Sequence, residues 1–316
     1  MTPVIEVEHL KKYFTTPRGL LHAVDDVTFS IERGKTLGVV GESGCGKSTL
    51  GRTIIHLHES TDGIVRLNGE QVNNLSGGAL KKAREKMQII FQDPYSSIDP
   101  RKTAEQTIME PLIVSRKFKK SEIEEKTDEL MALVGIDERL RRAYPHELDG
   151  GRRQRVGIAR ALALNPEFVV CDEPVSALDV SIQAQVLNLL KKLQMEKGLT
   201  YMFVTHDMSV VRHISDDICV MYLGQVVEKC PSKELFKNPL HPYTQALLSA
   251  IPSVDIHNQT ERMILKGELT SPINPKPGCR FAARCPYVKE ACHQAQHQEE
   301  VSPGHFVTCC RVHELG

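Results

Sequence analysis

The eight residues Gly41-Glu42-Ser43-Gly44-Cys45-Gly46-Lys47-Ser48 constrain this chain more than any other stretch. They match G-x-x-x-x-G-K-[ST] and lie between an apolar run and a helical pattern. The run Thr36 to Val40 reads as a short buried strand. The glycines after it let backbone N–H groups turn inward around a triphosphate. Lys47 is placed to reach the β- and γ-phosphates and Ser48 to hold Mg²⁺. Thr49 falls in the first turn of a helix whose positive end faces the anion. Gly41 to Thr49 therefore form the expected nucleotide-binding loop.

A length of 316 residues predicts about two domains, and 41% hydrophobic content supports a proper core. The 40 basic and 40 acidic residues cancel, so the overall charge points to no nucleic-acid partner. No stretch approaches the roughly 18 apolar residues of a membrane span. The start, MTPVIEVEHLKKYF, is not a signal peptide, and a cytoplasmic location is expected. Reduced thiols or metal ligands are then expected of the cysteines. Five of the nine, Cys279, Cys285, Cys292, Cys309 and Cys310, lie beyond residue 278. The scattered Cys45, Cys171, Cys219 and Cys230 read as small core residues.

Residues 3 to 33 alternate apolar and polar positions, as strands of a small antiparallel sheet joined by a loop from Thr15 to Gly19 would. Phe14 lies between them, next to Tyr13; either ring is core or a platform for adenine. STLGRTIIHL reads as a helix, IVRLNGEQV as strand, turn and strand, and Met87 to Phe91 as a buried strand ending in Gln92-Asp93-Pro94. Residues from about 93 to 163 carry charged, helical spacing and predict an inserted helical subdomain. The sheet resumes at Phe168 to Cys171, followed by Asp172-Glu173, and again at Tyr201 to Val204, followed by Thr205-His206-Asp207. Buried strands that deliver polar residues at their carboxyl ends build the active sites of open α/β sheets. A last boundary is predicted at Pro231, giving segments 1–230 and 231–316.

Metal-assisted triphosphate chemistry needs a cation clamp, a Mg²⁺ carboxylate, a base for the attacking water and a γ-phosphate sensor. Asp172 suits the Mg²⁺ role and Glu173 the base. His206 suits the sensor.

Together these motifs resemble the ATP-binding subunits of ABC transporters. The phosphate loop is joined by a Q-loop at Gln92, a signature region from Tyr144 to Leu162, VVCDEP at the strand end, a D-loop Ser176-Ala177-Leu178-Asp179 and a switch histidine, His206. The resemblance implies an α/β P-loop (RecA-like) core with an antiparallel β subdomain, an inserted α-helical subdomain and a cysteine-rich C-terminal extension. It also implies Phe14 at the adenine-stacking position, and Gln92 near Mg²⁺ and in communication with membrane subunits. FQDPYSSIDPRKT, ELFKNPLHPYTQALLSAIP and the closing GCRFAARCP…C…GHFVTC resemble the oligopeptide/dipeptide (and nickel) importers. HAVDDVTFSIERGKTLGVVGESGCGKSTLGRT is closer to their F-type than to their D-type ATPase. The resemblance implies a D-type partner in a heterodimer, two membrane permease subunits and an extracytoplasmic binding protein, with the chain peripheral on the cytoplasmic face. Peptide is the expected cargo; nickel or another small solute, or a soluble ABC ATPase, is the alternative.

The family signature LSGGQ is here Leu148-Asp149-Gly150-Gly151-Arg152. Asp149 would meet the partner's γ-phosphate with like charge, costing roughly 1 to 4 kcal/mol at surface-like dielectric. Capping of the following helix by Asp149, and neutralisation by Arg152 or Arg153, are the expected compensations. In the tail, Cys279, Cys285, Cys292 and Cys309 contain no tight C-x-x-C pair, so their spacing alone leaves the metal open. The resemblance implies a four-iron, four-sulfur cluster on these four, with Cys310 as a spare that can replace Cys309.

Overall fold

The computed structural model describes residues 3–251, 263–265, 267 and 271–315. In chain order the elements are β1 (Pro3–Thr16), β2 (Gly19–Glu32), β3 (Thr36–Val40), α1 (Lys47–Ile54), β4 (Asp62–Leu67), β5 (Glu70–Gln71), α2 (Gly77–Lys86) and β6 (Met87–Ile90). Next come α3 (Pro94–Ser97), α4 (Ala104–Ser115), α5 (Lys120–Val134), α6 (Gly150–Leu162), β7 (Phe168–Asp172), α7 (Val180–Lys197), β8 (Thr200–Thr205) and α8 (Met208–Ile214). The chain closes with β9 (Asp217–Tyr222), β10 (Gln225–Pro231), α9 (Ser232–Lys237), α10 (Pro242–Ser249), β11 (Glu299–Ser302), β12 (His305–Val307) and α11 (Val312–Leu315). They form two compact units, one built mainly from Asn74–Met202 and the other from Ile5–Ile31, Lys35–Asn73 and the chain from Phe203 onward.

In the first unit, β6 and β7 pair in parallel, Met87 opposite Phe168 and Ile90 opposite Cys171, and β7 is followed by the start of β8. Every residue of β7 is buried, as a parallel strand covered on both faces requires. Helices α4, α5 and α6 pack on one another. α5 buries Ile123, Thr127, Leu130, Met131 and Val134, a single stripe at helical spacing, and ends at Gly135 in the left-handed conformation. α4 starts on a reciprocal cap, in which Gln106 N–H donates to Thr103 Oγ1 and Thr103 N–H to Gln106 Oε1.

The second unit holds two sheets. The antiparallel one runs β2-β1-β4-β5, with Ile5 opposite Leu67 and Val7 opposite Val65. Its connecting loop is shorter than the alternation predicts, because β1 continues to Thr16 and β2 begins at Gly19. The other sheet continues from the end of β8 through β3, β9, β10, β12 and β11. β3 and β9 are parallel, Val39 opposite Cys219. Residues 48–57 do not form one helix; α1 stops at Ile54 and the chain turns at His56, whose φ is 58°.

The tail is tied to this sheet by a buried hydrogen-bonded pair, Glu228 and His305. Glu228 on β10 is fully buried, and its carboxylate accepts from the backbone N–H groups of Leu240 (2.9 Å) and His241 (3.0 Å) and faces His305 Nε2 at 2.8 Å. Tyr222 packs edge to face on Tyr243 and Phe281, which tilt against each other, with centroids 4.7 to 5.4 Å apart, and the three join β9, α10 and the cysteine segment in one core. Removing His305 leaves the buried Glu228 carboxylate one hydrogen bond short, so His305→Ala should cost about 1 to 3 kcal/mol of stability. Chemical denaturation monitored by hydrogen exchange in β10 and β12 checks this, and a loss below about 1 kcal/mol would contradict it.

Candidate functional site

The phosphate loop leaves β3 at Gly41 and enters α1 at Lys47, in the second unit. Two of its glycines have no room for a side chain. A Cβ on Gly41 would lie 2.2 Å from the carbonyl oxygen of Met221, and one on Gly46, whose φ is 103°, 2.0 Å from that of Ala23. Lys47 is buried, and its Nζ donates to the carbonyls of Gly41 (2.8 Å) and Glu42 (3.0 Å), inside the curve of the loop. No side chain caps the start of α1, so its first N–H groups are those that a phosphate would take. Ser48 and Thr49 form its first turn and are half-buried. Ser43 and Gly44 are exposed, and burial raises the Cys45 thiol pKa.

Phe14, also in this unit, is half-buried, with Lys12 Nζ 4.7 Å from its ring centroid and His58 edge-on at 5.7 Å. Burial first, then the charges of Lys12 and Arg52, lower the His58 pKa. Tyr13 is committed elsewhere. It stacks on His22 at 3.9 Å and its hydroxyl donates to Asp25, so burial and then the Asp25 bond hold the phenol protonated. His206 follows β8 and is exposed. Asp207 next to it caps α8, accepting from Ser209 N–H at 2.7 Å.

In the first unit, Asp172 ends β7 fully buried, and Glu173 follows with φ 46°. A non-glycine residue in that region is strained, and such strain concentrates at functional positions. Gln92 Nε2 donates to Glu173 Oε2 at 2.8 Å, so two sequence-predicted site residues from different strand ends meet. Asp179 is exposed at the start of α7. Asp149 caps α6, with its Oδ1 accepting from Arg152 N–H at 2.7 Å and its Oδ2 3.4 Å from Arg152 Nε. Gly150 and Gly151 form the first turn of α6. Arg153 turns away, onto the carbonyl of Leu148 and the ring of Tyr95.

The five tail cysteines line one small cavity in the second unit, walled by His241, Phe281, Tyr287 and Arg311. The backbone ties two of them directly, Cys279 N–H donating to the carbonyl of Cys292 at 2.8 Å. Cys292 Sγ accepts from Lys289 N–H at 3.4 Å. Cys310 is exposed, and its sulfur lies 3.8 Å from that of Cys292. Burial first, then the neighbouring thiols, pushes Cys279 up to about 12, and Cys285 and Cys309 move in the same direction. Burial also pushes His241 down to about 4, so its imidazole is neutral at the cavity wall. The scattered Cys171, Cys219 and Cys230 are buried in strands, as is expected of small core residues.

Comparison with known proteins decides the family. The description "ABC transporter" matches residues 24–176, and "Oligopeptide/dipeptide transporter, C-terminal region" matches 227–292. The chain is 51% identical to the oligopeptide transport ATP-binding protein AppF of Bacillus subtilis, over 97% of this chain and 96% of that protein. This chain belongs to the ATP-binding proteins of the oligopeptide/dipeptide ABC transporter family. It is 48% identical to the dipeptide transport ATP-binding protein DppF of Escherichia coli, over 98% and 95% of the two chains. Among solved structures it resembles the ATP-binding cassette MJ0796 bound to ADP and Pi, with TM-score 0.67, 31% identity, and coverage of 72% of this chain and 98% of that one. It also resembles cbiO1 of Clostridium perfringens, with TM-score 0.67, 28% identity, and coverage of 75% and 92%. The fold is thus the ABC ATPase cassette, an α/β P-loop NTPase with an antiparallel β subdomain.

Sequence reasoning passed over the residues that grip the loop from the tail. Tyr243 accepts the N–H of Glu42 at 2.8 Å, and Arg284 pairs with the Glu42 carboxylate at 2.7 Å. The HPYT run and the two arginines between Cys279 and Cys285 were the available signal. Asp149→Ala should lower the stability of α6 by about 1 kcal/mol whereas Asp149→Ser should not, because serine retains the cap. Equal unfolding midpoints for the two variants would contradict the capping role.

Proposed function

We propose that this chain is the ATP-hydrolysing subunit of an importer that carries di- and oligopeptides across the cytoplasmic membrane. It works at the cytoplasmic face, with a D-type ATPase subunit as partner, beneath two permease subunits supplied by an extracytoplasmic binding protein. The observation that carries this reading is the occurrence in one chain of a phosphate-cradling loop, a Glu173–Gln92 pair at a strand end and the transporter C-terminal region. The named functions of AppF and DppF support peptide as cargo. Among the described residues no helix is long and apolar enough to cross a membrane, which is consistent with a peripheral subunit.

In this reading Lys47 and the N–H groups of residues 43–49 hold the triphosphate, and Phe14 stacks on adenine. Glu173 takes the proton of the attacking water, with Gln92 orienting its carboxylate and His206 contacting the γ-phosphate. Ser48, Gln92 and Asp172 are hard oxygen donors and would hold Mg²⁺, which neutralises charge on the β- and γ-phosphates. Asp149, Gly150 and Gly151 face the partner's nucleotide, with Asp179 at the same seam. The Arg152 ion pair and the cap support Asp149 as a charge-compensated variant of the usual serine. Residues 1–230 make the nucleotide-binding domain, with the helical subdomain at about 93–163, and 231–316 make the extension.

The cysteine site suits a thiolate-bound metal. Four sulfurs that line one cavity are the donor set of an iron–sulfur cluster, and the Lys289 N–H on Cys292 would stabilise thiolate charge there. Cys279, Cys285, Cys292 and Cys309 are the proposed ligands of a [4Fe–4S] cluster. Cys310, the one exposed member of the five, is left outside that set. Zinc is the second reading, because the 3.8 Å between Cys292 and Cys310 equals the edge of a tetrahedron with bonds of about 2.3 Å.

Two measurements test these assignments. Glu173→Gln should retain ATP binding while hydrolysis and uptake of labelled peptide both fall about 100-fold or more; undiminished hydrolysis would overturn the role of Glu173. After purification without oxygen, about four irons and four sulfides per chain are expected. One zinc per chain would favour the second reading, and no metal would remove both.

A further inference from the structure

The tail reaches the nucleotide site through one short loop. Cys279-Arg280-Phe281-Ala282-Ala283-Arg284-Cys285 carries a cysteine at each end and an arginine next to each cysteine. It is a tight turn, closed by N–H bonds from Ala282 to Cys279, Arg284 to Phe281 and Cys285 to Ala282. Phe281, fully buried against Tyr222 and Tyr243, is its hinge pin. A shift of either sulfur therefore moves a guanidinium.

Both guanidinium groups end on the nucleotide-binding apparatus. Arg284, whose side chain is only 10% exposed, holds the Glu42 carboxylate with two bonds, of 2.7 and 3.1 Å. Glu42 belongs to the phosphate loop itself, where an uncompensated carboxylate would repel the triphosphate. Arg284 both cancels that charge and, with Tyr243 on the Glu42 N–H, fixes the first bend of the loop. Arg280 is more deeply buried and bonds the carbonyl of Leu223 and the carboxylate of Asp25. The next residue along, Gly224, donates its N–H to the carbonyl of Cys45 at 2.8 Å, again in the phosphate loop. Asp25 also receives the Tyr13 hydroxyl, beside Phe14.

We propose that the loop 279–285 is a clasp on the nucleotide pocket, with Arg284 and Arg280 as positioning residues, so that metal in the cysteine site tightens nucleotide binding. The metal half of this inference rests on the thiolate site proposed above; the clasp does not. Coupling between sites is reciprocal, so bound nucleotide also retains the metal.

The full chain, purified without oxygen, supplies the test through equilibrium binding of a fluorescent adenine nucleotide and release of metal to a chelator. Stripping the metal should weaken nucleotide binding roughly 5-fold or more, within the usual range of coupling between sites. Arg284→Met should weaken it comparably and abolish its dependence on metal. Saturating nucleotide should slow the loss of metal to the chelator, a readout independent of hydrolysis. Should Arg284→Met fail to fold, Glu42→Gln removes the same ion pair, keeps the bond to Tyr243 and is expected to lose the metal dependence too. Equal nucleotide affinity of loaded and stripped chain would overturn the coupling, and wild-type affinity in Arg284→Met would overturn the clasp. A chain that purifies without metal refutes the thiolate site and the coupling with it, while the Arg284→Met comparison still decides the clasp.

Discussion

The carbonyl oxygens of Met221 and Ala23 come so close to the phosphate loop that Gly41 and Gly46 admit no side chain. That close approach fixes the curve in which Lys47 folds back onto the carbonyls of Gly41 and Glu42. A loop so constrained has its N–H groups pointed before any anion arrives, and preorganised donors lose little entropy on binding. The rest of the second unit reinforces it. β3 enters the loop as a fully buried strand, α1 leaves it uncapped, and the turn between β9 and β10 bonds it at Cys45.

The first unit contributes chemistry of a different kind. Its buried strand β7 delivers Asp172 into the protein and turns Glu173 outward through a left-handed backbone step. Gln92, from the end of β6, then holds the Glu173 carboxylate by one hydrogen bond. In the proposed hydrolysis, that amide contact would keep the Glu173 carboxylate oriented for proton abstraction from water. The signature segment shows how a departure from a family pattern is accommodated locally. The carboxylate of Asp149 is absorbed by the backbone N–H and the guanidinium of Arg152, within one turn of helix.

Much of this was legible in the sequence, for physical reasons. Period-two alternation in residues 3–33 and the runs without charge at Thr36 to Val40 and Phe168 to Cys171 report burial directly, and the strands lie there. The capping role of Asp149 followed from its position before a helix. The two-residue turn at Pro17-Arg18 was missed because polar residues there continue the pairing of the strands instead of leaving it. The early end of the helix at Ile54 was hidden because Ile55, His56 and Leu57 have the composition of a helix while His56 takes a left-handed backbone. Least legible was the grip of the tail on the loop. Arg284 and Glu42 are 242 residues apart and Arg280 and Asp25 are 255 apart, and no periodicity encodes a charge pair at such separation. Glu228 and His305 were overlooked for the same reason, although they bind the tail to the sheet.

The chain is a motor whose phosphate loop is held by its own extension and whose hydrolysis serves peptide uptake. The most direct measurement is ATP turnover by the assembled importer in proteoliposomes, with and without peptide-loaded binding protein. Turnover is expected to rise with peptide-loaded binding protein and to disappear when Lys47 is replaced by alanine in this chain. Turnover indifferent to peptide and to the membrane subunits would contradict that role.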